Sequence, residues 1–238
     1  SRDHAISNAS LAAAKAVGRA GDFEDLLEEH AVAWAHVWDR FAITLAGHPR
    51  ENDILDLHLL HLLQTVSKHT VDFDVGAPAR GWTGEAYRGH ILWDELFVFP
   101  LLNSRELLLY RFRRLDEARN AAREAGLEGA MFPWQSGSDG REESQELHLN
   151  PESGRWIPDN SQLQRHIDAA IAYNVWQYIT VSGDEDFLVY YGAELLVEIA
   201  RFWSSLAVYN PSEDRYEICG VMGPDEFHEA YPGSTEGG

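Results

Sequence analysis

Near the C-terminus, Gly223-Pro224-Asp225-Glu226-Phe227-His228-Glu229 gathers three carboxylates and an imidazole immediately after a Gly-Pro pair. Glycine and proline restrict the backbone, so this pattern predicts carboxylates on a fixed loop rather than on a mobile helix face. A rigidly held carboxyl is what proton donation to a leaving oxygen needs. A second group, Gly84-Glu85-Ala86-Tyr87-Arg88-Gly89-His90-Ile91-Leu92-Trp93-Asp94-Glu95, reads as a loop running into a helix. His90, Trp93 and Asp94 stand at i, i+3 and i+4, which predicts one shared helix face. An indole can cover the apolar C–H face of a pyranose while a carboxylate beside it accepts hydrogen bonds from vicinal hydroxyls. The same spacing also describes a core tryptophan with Asp94 as a helix cap, and local periodicity alone favours packing. A third group, Phe132-Pro133-Trp134-Gln135 with Gly140-Arg141-Glu142-Glu143 and His148, repeats the mixture of aromatic and polar residues on a predicted loop.

Other chemistries find little support. His58 and His61 lie three apart without the His-Glu-x-x-His arrangement that sets two imidazoles and a base on one helix face, and no metal is expected. His228 with Asp225, Glu226 and Glu229 could hold a hard cation through oxygen, but acid-rich loops are usually just solvated. There is no phosphate-cradling glycine loop and no Gly-x-Ser-x-Gly elbow. Nineteen basic against thirty-nine acidic side chains give a formal charge of −20, which repels nucleic acid and anionic membranes. Cys219 is the only cysteine, so no intramolecular disulfide can form. No apolar run reaches membrane-spanning length and the N-terminus carries no signal-peptide pattern, which together predict a cytoplasmic protein.

The elements that must position these residues are helical. Phe23, Leu26, Leu27, His30, Trp34 and Trp38 recur in threes and fours and predict a helix over 22–41, with Asp22 as its N-cap. The denser run over 52–67 predicts an inner helix covered by others. Residues 75–87 form a long polar loop with Gly76, Pro78, Gly81 and Gly84. Helices are predicted again over 90–102 and 106–125, then a second long loop over 126–160. Two further helices, 161–182 and 185–206, are separated by Ser182-Gly183-Asp184, a stop followed by an N-cap. A short extended piece follows over 216–221. About six helices result, joined by long loops that build a pocket if they gather at one end of a helical barrel.

The motif order carries a resemblance. Gly89-His90-x-x-Trp93-Asp94, Phe132-Pro133-Trp134, Ser182-Gly183-Asp184-x-x-Phe187-Leu188, Ala200-Arg201-Phe202-Trp203 and Gly223-Pro224-Asp225-Glu226-Phe227-His228-Glu229 together resemble the family 65 glycoside hydrolases and phosphorylases. These act as maltose, trehalose and kojibiose phosphorylases and acid trehalases. The likeness runs from about residue 21 onward. It implies an all-α fold, an (α/α)6 barrel of twelve helices with about half present over 1–238 and residues 1–20 as a lead-in. It implies Glu226 as the general acid, and Trp93 and Asp94 as holders of the nonreducing glucose with His90 beside them. Trp134 is placed with the substrate-binding residues, and Asp225 and His228 with those that orient the acid. Glu95 takes the place of the glutamate in the commoner Trp-Asp-Thr-Glu form, and Gln135 stands where relatives often have glutamate.

An inverting hydrolase needs a second carboxylate to activate water, whereas phosphate is already an anionic nucleophile and needs only positioning donors. The expected activity is cleavage of an α-glucosidic bond of a disaccharide with inversion, by phosphorolysis that releases β-glucose 1-phosphate. The alternatives are an inverting hydrolase of the trehalase or kojibiose hydrolase kind, or a non-catalytic truncated helical module. No cofactor is expected beyond inorganic phosphate as co-substrate. The expected partner is a small disaccharide, with self-association through an exposed apolar seam and an isolated chain that is inactive.

Overall fold

The computed structural model describes residues 8–65, 73–84, 86–87, 89–98 and 104–224. The chain divides into two compact units, Ser1–Phe73 and Asp74–Gly238.

In the first unit, α1 (Ala9–Arg19) starts at Asn8, whose side chain accepts from the Leu11 amide at 3.0 Å. Helix α2 (Phe23–Phe41) starts at the predicted cap: Asp22 Oδ1 accepts from the Asp25 amide at 3.0 Å, leaving one fewer unsatisfied donor in the first turn. Helix α3 (Pro49–Leu63) has proline in its first turn, where a missing N–H costs nothing. Asn52 fixes the approach to it by receiving the Leu45 amide at 2.7 Å and donating to the Leu45 carbonyl at 3.1 Å. Neither α2 nor α3 buries a side chain among the described residues, so the expectation that 52–67 is an inner, covered helix is not met there.

In the second unit, α4 (Glu95–Val98), α5 (Ser104–Arg113), α6 (Leu115–Glu124), α7 (His166–Ser182), α8 (Glu185–Phe187) and α9 (Ala193–Leu206) are joined by loops and two antiparallel hairpins. The hairpins pair β1 (Leu147–Asn150) with β2 (Arg155–Pro158) and β3 (Val208–Asn210) with β4 (Arg215–Glu217). The single helix expected over 106–125 is two, divided at Arg114 (φ −110, ψ 15). Arg114 turns its guanidinium to the Ser138 carbonyl at 2.9 Å and the Asp74 carboxylate at 2.7 Å. The expected break between the last two helices is present. Gly183 sits in the left-handed region at φ 67, a conformation costly to residues with a Cβ, and Asp184 caps the next turn by accepting from the Phe187 amide. Between α8 and α9 the helix passes through a π turn over Leu188–Gly192, so the chain continues without a break but with one extra residue in the turn.

The core is built where α5, α6, α7 and α9 pack, around Leu108, Leu115, Ile167, Ile171, Val175, Phe187, Leu195 and Ile199. No helix among the described residues is long and apolar enough to cross a membrane.

Candidate functional site

Segment 129–132 ties an aromatic loop to the helices by bonding to three of them in succession. The Ala130 amide donates to the Glu198 carbonyl of α9 at 3.1 Å, and the Met131 amide to the Ala118 carbonyl of α6 at 3.0 Å. The Phe132 amide donates to the fully buried Asp168 carboxylate of α7 at 3.3 Å. Burial holds the Asp168 carboxyl well above its ordinary range, with the Phe132 amide and the Arg111 and Arg165 guanidiniums opposing it. Arg111 is buried too, stacked 5.5 Å from the Tyr110 ring centre and 5.9 Å from that of Phe132. Gly129 shows why this segment lies so close to α9: a Cβ there would stand 2.1 Å from the Glu198 carbonyl oxygen.

Beyond Phe132, the Glu142 carboxylate holds the loop. It accepts from the Trp134 amide at 2.7 Å, the Gln135 amide at 3.1 Å, and the Ser144 amide and hydroxyl at 3.1 and 2.6 Å. Ser136 then pairs with both Glu142 and Ile91. The Ile91 amide donates to the Ser136 carbonyl at 3.0 Å and the Ser136 amide to that of Ile91 at 3.2 Å. Tyr110 closes the arrangement from α5, its hydroxyl meeting Ser136 Oγ at 2.6 Å and the Gly137 carbonyl.

This pairing corrects the expected helix over 90–102. Gly89 is left-handed at φ 75, Ile91 is committed to its bridge with Ser136, and helix begins only at Glu95. His90, Trp93 and Asp94 are therefore not on one helix face, because a non-local ladder replaces the first turn. Each of the three meets different neighbours. The bridge sets His90 beside Gln135 and the 142–143 strandlet, where His90 Nε2 lies 2.7 Å from Glu143 Oε2. Trp134 stands edge-on to Tyr87 at 5.8 Å, and the Arg80 guanidinium lies over the other ring at 5.8 Å. Trp93 is half-buried, with its ring edge-on to His166 at 4.8 Å and to Phe97 at 5.7 Å. Asp94 is exposed and occupies the residue before α4, where its carbonyl accepts from the Phe97 amide at 3.0 Å.

His166 opens α7 with both ring nitrogens buried and without a hydrogen-bond partner among the described residues. Burial pulls its pKa below the ordinary histidine value, so the ring that meets Trp93 is neutral at pH 7. Two residues earlier, Gln164 pairs with Met222, and the Met222 amide donates to the Leu163 carbonyl at 3.0 Å. The chain leading into Gly223-Pro224 is thus fixed next to the segment that carries His166. Asp225, Glu226 and His228 themselves lie outside the described residues. His148 is elsewhere, on β1, with Nδ1 3.6 Å from Asp159.

Among the described residues the expected site residues fall into two aromatic groups, Tyr87 with Trp134 beside His90, and Trp93 with His166 and Phe97 next to the exposed Asp94. Sequence reasoning gave Glu142 and Glu143 no distinct roles, and missed Asp168, Arg111 and His166. Arg111 had one signal: a charge among Leu107, Leu108 and Tyr110 on the buried side of α5.

Comparison with known proteins identifies the family. The Glycosyl hydrolase family 65 central catalytic domain matches over residues 56–233. An uncharacterized glycosyl hydrolase of Mycobacterium tuberculosis is 55% identical over 244 residues, covering 100% of this chain and 18% of that protein. The trehalose 6-phosphate phosphorylase of Lactococcus lactis is 44% identical over 86% of this chain and 27% of its own length. A kojibiose phosphorylase of Halothermothrix orenii is 37% identical over 87% of this chain and 27% of its length. Among solved structures, one provisionally named as a kojibiose phosphorylase, from the human microbiome, superposes with a TM-score of 0.71 at 27% identity, covering 88% of this chain and 27% of that one. The chain thus spans about a quarter or less of the length of these relatives.

Proposed function

The chain belongs to glycosyl hydrolase family 65, and we propose that it forms about half of the (α/α)6 catalytic barrel of a longer enzyme that cleaves an α-glucosidic bond by inverting phosphorolysis. The observation that supports this reading is that one segment, 163–166, is contacted both by Trp93 and by the chain just before Gly223. Trp93 touches His166, and the residue three before Asp225 is hydrogen-bonded beside Gln164. This supports a shared pocket for the Trp93-Asp94 pair and the turn after Pro224, which are far apart in sequence.

In this mechanism Trp93 covers the apolar face of the nonreducing glucose, Asp94 accepts from its hydroxyls, and His90 and Trp134 line the same wall. Glu226 donates its proton to the glycosidic oxygen as the C–O bond breaks, with Asp225 and His228 orienting it. Inorganic phosphate attacks the anomeric carbon from the opposite face, so an α-linkage yields β-glucose 1-phosphate. That product and the need for phosphate suit a cytoplasmic enzyme. The names of the Lactococcus and Halothermothrix relatives direct the first assays to trehalose 6-phosphate and kojibiose, followed by trehalose and maltose. Hydrolysis is the second reading, favoured by the name of the Mycobacterium relative. The 238 residues alone supply one wall and are expected to bind without turning over.

The test uses the whole enzyme with inorganic phosphate and this disaccharide panel, reading phosphorus and anomeric proton NMR. Phosphate-dependent release of the β-anomer is the expected result, and Glu226→Gln should lower kcat by about 10²- to 10⁴-fold. Normal turnover by that variant removes Glu226 as the acid. Glucose release without phosphate selects the hydrolase.

A further inference from the structure

We propose that Glu95 is a positioning residue for the glucose subsite, its carboxylate strapping the loop at Gly76 and Ala77 to the turn that carries Trp93 and Asp94. Glu95 is buried, only 7% exposed, and it bonds in two directions. Oε1 accepts from the Leu92 amide at 3.1 Å, immediately before Trp93, and Oε2 accepts from the Ala77 amide at 3.0 Å, eighteen residues away in sequence. Gly76 makes this approach possible. A Cβ there would lie 2.0 Å from the His90 carbonyl oxygen and 2.3 Å from Glu95 Oε1, so only glycine lets the loop lie on that backbone. The Gly76 amide adds a bond to the Gly89 carbonyl at 3.1 Å. Just upstream, the Asp74 carboxylate takes Arg113 and Arg114 at 2.7 Å each. Residues 74–77 are thereby fixed to α5 at one end and to the Trp93 turn at the other, with Glu95 as the link that reaches Leu92.

A carboxylate is the side chain that can do this, because each of its oxygens accepts when it is ionised. Protonation turns one oxygen into a donor facing an N–H, and the strap then keeps only one good bond. Burial raises the Glu95 pKa to about 7, opposed by the two amides and the Arg111 guanidinium and assisted by the negative charge of Asp94. Arg111 lines the same crevice, with Nη1 buried and lacking a hydrogen-bond partner among the described residues. The strap is therefore taut above about pH 7 and slackens below it.

This inference rests on the reading of Trp93 and Asp94 as the glucose subsite, and its test separates the two. In the whole enzyme, hydrogen exchange of the Ala77 and Leu92 amides, corrected for intrinsic rate, is compared between wild type and Glu95→Gln at pH 8. At least one of the two should exchange about tenfold faster in the variant, which keeps a single carbonyl acceptor. The disaccharide KM should rise about tenfold with kcat changed less than about threefold, and the rise of the wild-type KM on acidification through pH 7 should be absent from Glu95→Gln. Unchanged exchange overturns the strap, and faster exchange with unchanged KM overturns its positioning role. If Glu95→Gln does not fold, the wild-type amides decide: faster corrected exchange at pH 6 than at pH 8 supports the strap, and equal rates overturn it. An enzyme that shows the exchange signature but cleaves no α-glucoside supports the strap and removes the functional proposal.

Discussion

Replacing Glu142 by alanine should unlock the loop that carries Trp134. The carboxylate accepts four hydrogen bonds, and those from the Trp134 and Gln135 amides tie residues eight and seven positions away in sequence. The two from Ser144 are local, and water replaces them readily, so they are counted as nothing. A hydrogen bond to a charged acceptor is worth about 1.5–3 kcal/mol, giving about 3–6 kcal/mol for the pair, and half-exposure lets water recover part of it. The expected loss is about 2–4 kcal/mol, or a fall in Tm of about 5–15 °C for a unit of this size. Urea unfolding followed by circular dichroism, with calorimetry as a second probe, measures it. Glu142→Gln, which keeps one carbonyl oxygen, should lose about half as much. A Glu142→Ala chain within about 0.5 kcal/mol of wild type would refute the idea that this carboxylate sets the loop, and the position of Trp134 would need another cause.

Glycines supply a contrast within one chain. Gly129→Ala drives a Cβ against the α9 backbone and should cost more than about 3 kcal/mol, whereas Gly154→Ala, at φ 65 in the open β1–β2 turn, should cost only the left-handed penalty of about 1 kcal/mol; equal losses in urea unfolding would contradict the packing of 129–132. Glu95 gives a pH dependence of defined sign. Its pKa is raised on folding, so its contribution is full below the unfolded value near 4.5 and is lost as pH rises through about 7, up to about 3 kcal/mol. Wild-type stability relative to Glu95→Gln should fall from pH 5 to pH 8, and a rise would refute the assignment. Ionisation thus costs the fold some stability in the range where it tightens the strap.

Much of the helical frame was legible because its signals are local. Asp22 caps α2 and Gly183-Asp184 divides the last helices as their types predict, since a cap is decided within four residues. The errors arise where distant segments decide. Ile91 prefers Ser136 to its own helix turn, and Arg114 leaves the helix for Asp74 and Ser138. All three partners lie more than twenty residues away. For the site, the aromatic residues were visible as types, and their assembly was not. Glu142 stands in the sequence as one polar residue of a loop, and its bond to the Trp134 amide shows only once the loop folds back on itself. Asp225, Glu226 and His228 lie outside the described residues.

The π turn over Leu188–Gly192 carries one residue more than an α-helix would need and hides it from everything downstream. At the wider π pitch these residues turn and rise about as far as one residue fewer does in an α-helix, so a single deletion inside the turn would close it and leave α9 nearly in register. A deletion at Ala193, where the helix is ordinary, has no such slack and would rotate everything after it by about 100°. Leu195, Ile199 and Phe202 would swing off the core together, and Glu194 and Glu198 would leave Arg119, which they now hold at 2.6 and 3.2 Å. The Glu198 carbonyl would leave Ala130 in the same movement, and with it the first of the three bonds that hold the aromatic loop. Two deletions a few residues apart would thus have opposite outcomes, one absorbed and the other acting on core, ion pairs and loop at once.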